Sequence, residues 1–279
     1  MGHALEIRPY AWDGPYAEMR DSANIPHDAG LCADIRADWM APGGRIILRS
    51  SEIVAYEDGY LYDDHFPPCE PEGRGRGYEH TSFQWKSDRA PRGLSAECDV
   101  PGRGSFSLDL VAEADVVAIS LAVGSHLDTP MGNVDWHFCV VGYEAPSVGD
   151  ATLERTYLFD GERLRTLAEM SGGAKCEMYK VAGAGGFLPA VNQDYPRGPV
   201  EAKASCVIVE SADKRHAVAL GFERSYVIFS NPSNMCFHAD PCFGPITGKR
   251  EARTVRGMIY LMAGTANEAF ERYREDFAR

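Results

Sequence analysis

Two neighbouring segments with strict two-residue periodicity constrain this chain more than any other feature. In 104–111 (GSFSLDLV), Phe106, Leu108 and Leu110 share one face while Ser105, Ser107 and Asp109 share the other. After an acidic turn at 113–115, the run DVVAISLAV repeats the pattern with Val117, Ile119, Leu121 and Val123 on its apolar face. A period of two marks half-buried antiparallel strands. Further strands are expected at 45–49, 53–57, 80–85, 134–143, 176–182, 202–210, 215–222, 225–230 and 253–262. TYLFDGERL (156–164) predicts a hairpin in which Asp160 and Gly161 supply the positive φ angles of a two-residue turn. Many short strands between Gly- and Pro-rich turns, without alternating helices, predict a mainly β fold, a large antiparallel β-sandwich.

One helix is clearly signalled, over 265–278. Thr265 followed by Glu268 forms a capping box, and Phe270, Tyr273 and Phe277 recur at helical spacing. Its apolar stripe is expected to close the outer face of a sheet. Residues 1–44 read as irregular or short-helical, with a weak helix over 28–39. No linker or repeat divides the 279 residues, so a single sandwich domain is expected over 1–279. Two long loops, CEPEGRGRGYEH and VAGAGGFLPAVNQDYPRGP, have the length of functional rims.

Charge narrows the ligands. Asp and Glu outnumber Lys and Arg by 41 to 28, a formal net charge of −13. That balance repels nucleic-acid phosphates and anionic membrane surfaces, while a locally basic cleft can still hold an acidic sugar. No basic segment followed by an apolar run opens the chain, and no apolar stretch approaches the roughly 20 residues of a membrane span. The expected location is the cytoplasm, and self-association into a homo-oligomer is left open. The eight cysteines are spread along the chain without a CxxC, several of them in apolar runs such as FCVVGY and ASCVIVE. They read as buried thiols; Cys236 and Cys242, which flank His238 and Asp240, have a spacing loose for zinc.

Three segments carry groups capable of chemistry. In YEHTSFQW, His80 and Gln84 point to one face and Trp85 to the other, which suits either a sugar-stacking surface or an ordinary exposed strand with a core tryptophan. In NVDWHFCVVGYE, Asp135, His137 and Cys139 share a face, and Trp136 and Phe138 share the opposite one. Such a strand is buried on both sides, and His137 needs a partner, with Asp135 at hand to raise its pKa; a satisfied structural histidine is the alternative. In NPSNMCFHADPCFG, His238 and Asp240 precede a proline and are expected at a strand end or in a loop, with Asn231 and Asn234 adding amides. A rival lies in SHLDTPMGNVDWH: His126-x-Asp128 with His216 or His238 would complete the facial triad of a non-haem Fe(II) oxygenase, although Asp128-Thr129-Pro130 also reads as a plain turn.

The run from His80 through SHLDTPMGNVDWHFCVVGYEAPSVGDATLERTYLFDGERL to CFHADPCFGPITGKREARTVRGMIYLMAG resembles the galactose-mutarotase-like β-supersandwich, over roughly residues 45–265. That superfamily includes aldose epimerases and sandwich domains of glycoside hydrolases and polysaccharide lyases. The resemblance implies two histidines and a carboxylate on a concave sheet, one histidine protonating the ring oxygen while the carboxylate removes the anomeric proton. By position His80 and His137 would be the histidines, and Glu223 or Asp240 the carboxylate. Gln84, Trp85, Asp135, Asn231 and His238 would bind substrate. The implied protein is a carbohydrate-active enzyme acting on a sugar or uronate, as an isomerase, lyase or hydrolase. It would need no cofactor, or else one divalent metal on His80, His137 and His238. The third class left open is a non-catalytic carbohydrate-binding or assembly subunit.

Overall fold

The computed structural model describes residues 5–10, 32–63, 84–172, 176–184, 196–233 and 235–277. Sixteen strands are formed among them: β1 (Glu6–Pro9), β2 (Cys32–Arg36), β3 (Ile46–Tyr56), β4 (Gly59–Asp63), β5 (Gly93–Val100), β6 (Gly104–Ala112), β7 (Val116–Ser125), β8 (Met131–Val141), β9 (Thr156–Phe159), β10 (Leu164–Thr166), β11 (Met178–Lys180), β12 (Cys206–Glu210), β13 (His216–Phe222), β14 (Ser225–Asn231), β15 (Cys236–Ile246) and β16 (Ala252–Ala263). Two helices join them, a single turn α1 (Leu167–Met170) and the C-terminal α2 (Ala266–Phe277). The fold is an antiparallel β-sandwich. One sheet runs β1-β2-β3-β8-β15-β14-β11, with β4 on β3; the other runs β10-β9-β12-β13-β16-β7-β6-β5.

The alternating segments do what their period demands. Burial along β6 alternates at every residue, and Phe106, Leu108 and Leu110 point into the core between the sheets. The facing sheet supplies Trp136 and Phe138 from β8. Trp136 meets Phe106 edge to face with ring centroids 5.4 Å apart, and Phe138 meets Phe222 of β13 at 5.3 Å. Such contacts between large aromatic rings hold the layers in register beyond what burial alone contributes. The indole N–H of Trp136 donates to the Ser50 carbonyl, so its one polar atom is satisfied inside the core.

Helix α2 covers the outer face of the second sheet. Ala266, Ala269, Phe270 and Tyr273 pack against Cys206, Ile208, Ala217, Ala219 and Tyr260. Its start is fixed by the expected box: the Thr265 hydroxyl accepts from the Glu268 amide, and Glu268 accepts from the Thr265 amide at 2.7 Å. Gly221 permits the close approach, since a Cβ there would lie 2.5 Å from a ring carbon of Tyr273.

Several sequence expectations need correction. The segment 28–39 is not helical where it is described: Cys32–Arg36 is a strand, bonded to β1 and β3, and Glu6–Pro9 is another. A five-residue stretch fits both periodicities, and the open edge of β3 decides in favour of pairing. The segments 45–49 and 53–57 are one strand, β3, interrupted by a register shift between Arg49 and Ile53. The hairpin after β9 forms, its turn closed by the Asp160 amide donating to the Arg163 carbonyl at 3.2 Å. Gly161 alone has positive φ (109°), and the Asp160 carboxylate accepts from the amides of Glu162 and Arg163, both at 2.9 Å. Of the strand expected at 80–85, Gln84 and Trp85 lie outside any strand, and the rest lies outside the described residues. No helix of the described residues is long and apolar enough to cross a membrane.

Candidate functional site

On β8 the even-numbered residues Val134, Trp136, Phe138 and Val140 enter the core, so Asp135, His137 and Cys139 face outward from the sandwich. On β15, Phe237 and Ala239 face the core, and Cys236, His238, Asp240 and Cys242 share the outer face with them. The register then lines up cross-strand rows. Phe229 of β14 lies opposite His238, His238 opposite Cys139, and Cys139 opposite Arg49, which lies opposite Cys32 of β2. One row along, Val227 lies opposite Asp240 and Ile53 opposite His137. A further row pairs Cys242 with Asp135. Although they point away from the inter-sheet core, Asp135 and Asp240 are fully buried, and His137 and His238 are 4% and 2% exposed.

Polar groups at such depth need partners. Asp240 supplies one to His137: Nδ1 lies 2.9 Å from Oδ2, while the other carboxylate oxygen accepts from the Phe138 amide at 3.3 Å. With Nδ1 engaged by this carboxylate, Nε2 of the imidazole lies on the far side of the ring. His238 stacks flat on Phe229, with centroids 3.9 Å apart and planes 10° from parallel. Its Nε2 lies 3.0 Å from the Cys236 sulfur, and its Nδ1 lies 3.9 Å from Asp240 Oδ1 without a hydrogen bond. The two imidazoles are 4.6 Å apart, centroid to centroid. Asp135 forms no well-made side-chain hydrogen bond through either oxygen. Burial, and after it the charge of Asp240, push its carboxyl pKa well above the usual range; His137 and the Trp136 amide pull back only part of that shift. Asp135 is therefore a neutral acid over a range where an exposed aspartate is ionised.

Of the three histidines expected to act together, His137 and His238 stand side by side, and His80 lies outside the described residues. The partner of His137 is Asp240, 103 positions away, and not its neighbour Asp135. His238 and Asp240 sit in the body of a strand, not at its end or in a loop. The following proline is accommodated because Pro241 stands opposite Ser225, where the β14–β15 ladder shifts register and no amide is required of it. Asn231 caps a turn, its side-chain oxygen accepting from the Ser233 amide at 3.0 Å. Trp85 donates its indole N–H to the Cys32 carbonyl at 2.7 Å and packs against the core; Gln84 is exposed.

Glu223 is placed apart from the histidines, on the turn between β13 and β14, where it pairs with Arg256 at 3.5 Å. It lines a cleft of about 460 Å³ together with Arg224, Tyr226, Asn133 and Cys242. Cys242 stands opposite Asp135 and two residues beyond Asp240, roughly 7 Å along the strand at ~3.3 Å per residue. The cleft thus opens beside the buried polar rows. His126 and Asp128 are engaged elsewhere: His126 faces Asp99 at 3.7 Å, and Asp128, 85% exposed, pairs with Lys249 at 2.7 Å. Neither belongs to any cluster of metal-capable donors among the described residues.

Sequence reasoning passed over Arg49, Phe229 and the proximity of the Cys139 and Cys236 sulfurs. Arg49 is only 3% exposed, an unusual depth for a guanidinium. The sequence signal for it was present but weak: a lone arginine between IIL and SSEIV in an otherwise apolar strand.

No family model matches the chain, and no curated protein matches it by sequence. Solved structures do. A galactose mutarotase-like protein from Lactobacillus casei is 12% identical with a TM-score of 0.45, over 84% of this chain and 94% of that one. The chain resembles galactose-mutarotase-like structures. A galactose mutarotase related enzyme from Lactobacillus acidophilus is 9% identical with a TM-score of 0.42, over 86% of this chain and 96% of that one. An alpha-N-acetylgalactosaminidase from Bifidobacterium bifidum, in complex with GalNAc, is 11% identical with a TM-score of 0.46, over 89% of this chain and 36% of that one. Likeness at this level brings no activity with it, so the functional reading rests on the site.

Proposed function

We propose that this chain is a carbohydrate-active enzyme acting on a sugar or uronate by general acid–base catalysis, with the His137–Asp240 pair as its proton-transfer unit. The observation that carries this reading is the 2.9 Å contact from His137 Nδ1 to Asp240 Oδ2, on the sheet face beside a cleft. Asp240 fixes the tautomer and orientation of the ring and stabilises the imidazolium that forms when Nε2 takes up a proton. Buried neutral Asp135 adds a second proton donor two residues along β8. A neutral acid beside a histidine–carboxylate pair supplies the two protonation states that ring opening, elimination or hydrolysis each require. In the cleft, Glu223, Arg224 and Lys203 are charged groups able to meet sugar hydroxyls or a uronate carboxylate, and the volume suits a small ligand. His137 is thus assigned as acid or base, Asp240 as its positioning carboxylate, and Glu223 as the carboxylate nearest the substrate.

The test is a panel of mono- and oligosaccharides and uronates, scored by thermal shift and by NMR exchange between anomers. A ligand that stabilises the protein and is turned over, with turnover lost in His137→Gln, is the expected result. Full turnover by that variant would remove the pair from the mechanism.

The depth of the pair favours a second reading, a non-catalytic carbohydrate-binding module in which His137 and Asp240 only tie β8 to β15. It predicts sugar binding that survives His137→Gln, with no turnover of any glycan on the panel.

A further inference from the structure

The buried outer face of the first sheet holds a second cluster, beside the acid–base pair and sharing no residue with it. The Sγ atoms of Cys139 and Cys236 and a ring nitrogen of His238 all lie within 4.8 Å of one another. All three residues are buried, at 1%, 3% and 2% exposure. They come from the two central strands: His238 stands directly opposite Cys139, and Cys236 lies two residues before His238 on the same face. None of the described cysteines forms a disulfide.

We propose that Cys139, Cys236 and His238 form a binding site for one thiophilic metal ion, with zinc as the expected occupant.

Two thiols and an imidazole are a donor set that soft and borderline cations select over magnesium or calcium. Zinc binds sulfur at about 2.3 Å and imidazole nitrogen at about 2.0–2.1 Å, so donors at the corners of a tetrahedron stand roughly 3.4–3.8 Å apart. Cys236 Sγ and His238 Nε2, at 3.0 Å, need to part by a few tenths of an ångström, which a side-chain rotation provides. Loading forms two Zn–S bonds and one Zn–N bond and releases the two thiol protons to solvent.

The independent pointer to a ligand is the orientation of His238. Nε2 is turned toward the sulfur, and the orphaned Nδ1 is turned toward Asp240 Oδ1. A metal-bound imidazole usually passes its other N–H to a carboxylate in this way, and loading would draw the 3.9 Å gap closed. Phe229 stacked on the ring fixes that direction. The alternative grouping of His137, His238 and Asp240 is also within reach, but there His137 Nδ1 and Asp240 Oδ2 already satisfy each other. Three protein donors leave a fourth position for water or a ligand atom.

The experiment uses the full chain, purified without chelator, with zinc measured per chain by mass spectrometry. The apoprotein is then reloaded with Co(II) and its thiolate-to-cobalt charge-transfer absorption is recorded. About one zinc per chain and a thiolate band are expected. Both should be lost in Cys139→Ser, Cys236→Ser and His238→Gln, and kept in Cys206→Ser, a buried thiol of the other sheet, with far-UV circular dichroism confirming folded variants. Where a ligand variant does not fold, the wild-type cobalt spectrum decides. No thiolate band in wild type, or zinc kept in both serine variants, would overturn the proposal. Metal lost in His137→Gln but kept in Cys139→Ser would overturn it too, by assigning the ion to the other grouping. These readouts do not depend on sugar turnover, so the site can stand or fall apart from the proposed activity.

Discussion

His137 and Asp240 meet at 2.9 Å across two central antiparallel strands, and the same carboxylate holds the Phe138 amide. One side chain therefore joins strands β8 and β15 and orients the imidazole. Asp240→Ala leaves the imidazole and the amide without their acceptor at a buried site, and removing one partner of a buried pair costs about 3–5 kcal/mol. Urea unfolding should show that loss. Asp240→Asn keeps the shape and should cost less, while lowering any turnover by about 10²-fold or more through loss of the charged partner. Equal stability of both variants and the parent would show that the contact does not form in solution.

Asp135 sets a pH dependence of known sign. Its folded-state pKa is raised, by burial first and then by Asp240, so above the usual aspartate value the folded chain keeps a proton that the unfolded chain has released. Where the unfolded state binds fewer protons, stability falls as pH rises. Asp135→Asn removes that penalty. Its denaturation midpoint, compared with the parent from about pH 4 upward, should gain steadily with pH; a constant difference would mean that Asp135 is ionised in the fold.

Helix α2 depends on its cap. Thr265→Ala removes the side chain that accepts from the Glu268 amide, and loss of such a cap costs about 0.5–2 kcal/mol. Glu268 has its pKa lowered by hydrogen bonds from the Thr265 amide and hydroxyl. Its contribution is present above the usual glutamate pKa and is lost as pH falls through the lower folded value. The cost of Thr265→Ala, read as a shift in Tm, should shrink in acid.

Among the described residues, Trp136 is the largest side chain fully buried between the sheets. Trp136→Ala should cost about 3–5 kcal/mol by leaving a cavity beside Phe106 and Phe243. Trp136→Phe should cost less, losing mainly the bond to the Ser50 carbonyl. Chemical denaturation of the two variants separates the packing contribution from the hydrogen bond.

His126→Ala tests the iron-oxygenase alternative. His126 and Asp128 pair separately with Asp99 and Lys249 on the surface. The variant should keep the parent's metal content and any turnover unchanged, and loss of Fe(II) binding would revive the facial triad.

How far the sequence could be read depended on the range of the determining interaction. The alternation in β6 and β7 and the Thr265–Glu268 box act between neighbours, and both appear in the fold where the sequence placed them. Cys32–Arg36 misled because five residues are too few to separate a period of 2 from one of 3.6, and its hydrogen-bond partner lies in β3. His137 was readable as a buried histidine in need of a partner, but its partner was not, since Asp135 is adjacent in sequence and Asp240 is adjacent only across a ladder.

By itself the sequence determined the local terms: which residues alternate, where the last helix begins, and that the thiols are apolar in setting. Those follow from side-chain chemistry and backbone period. Only the tertiary structure decided that Asp240 and not Asp135 holds His137, that His238 turns one nitrogen to Cys236 and the other to Asp240, and that Glu223 lies on a cleft of its own. The reason is register. A shift of one residue between β8 and β15 would turn every one of these side chains to the opposite face, and the packing of Trp136, Phe138 and Phe237 in the core is what forbids it.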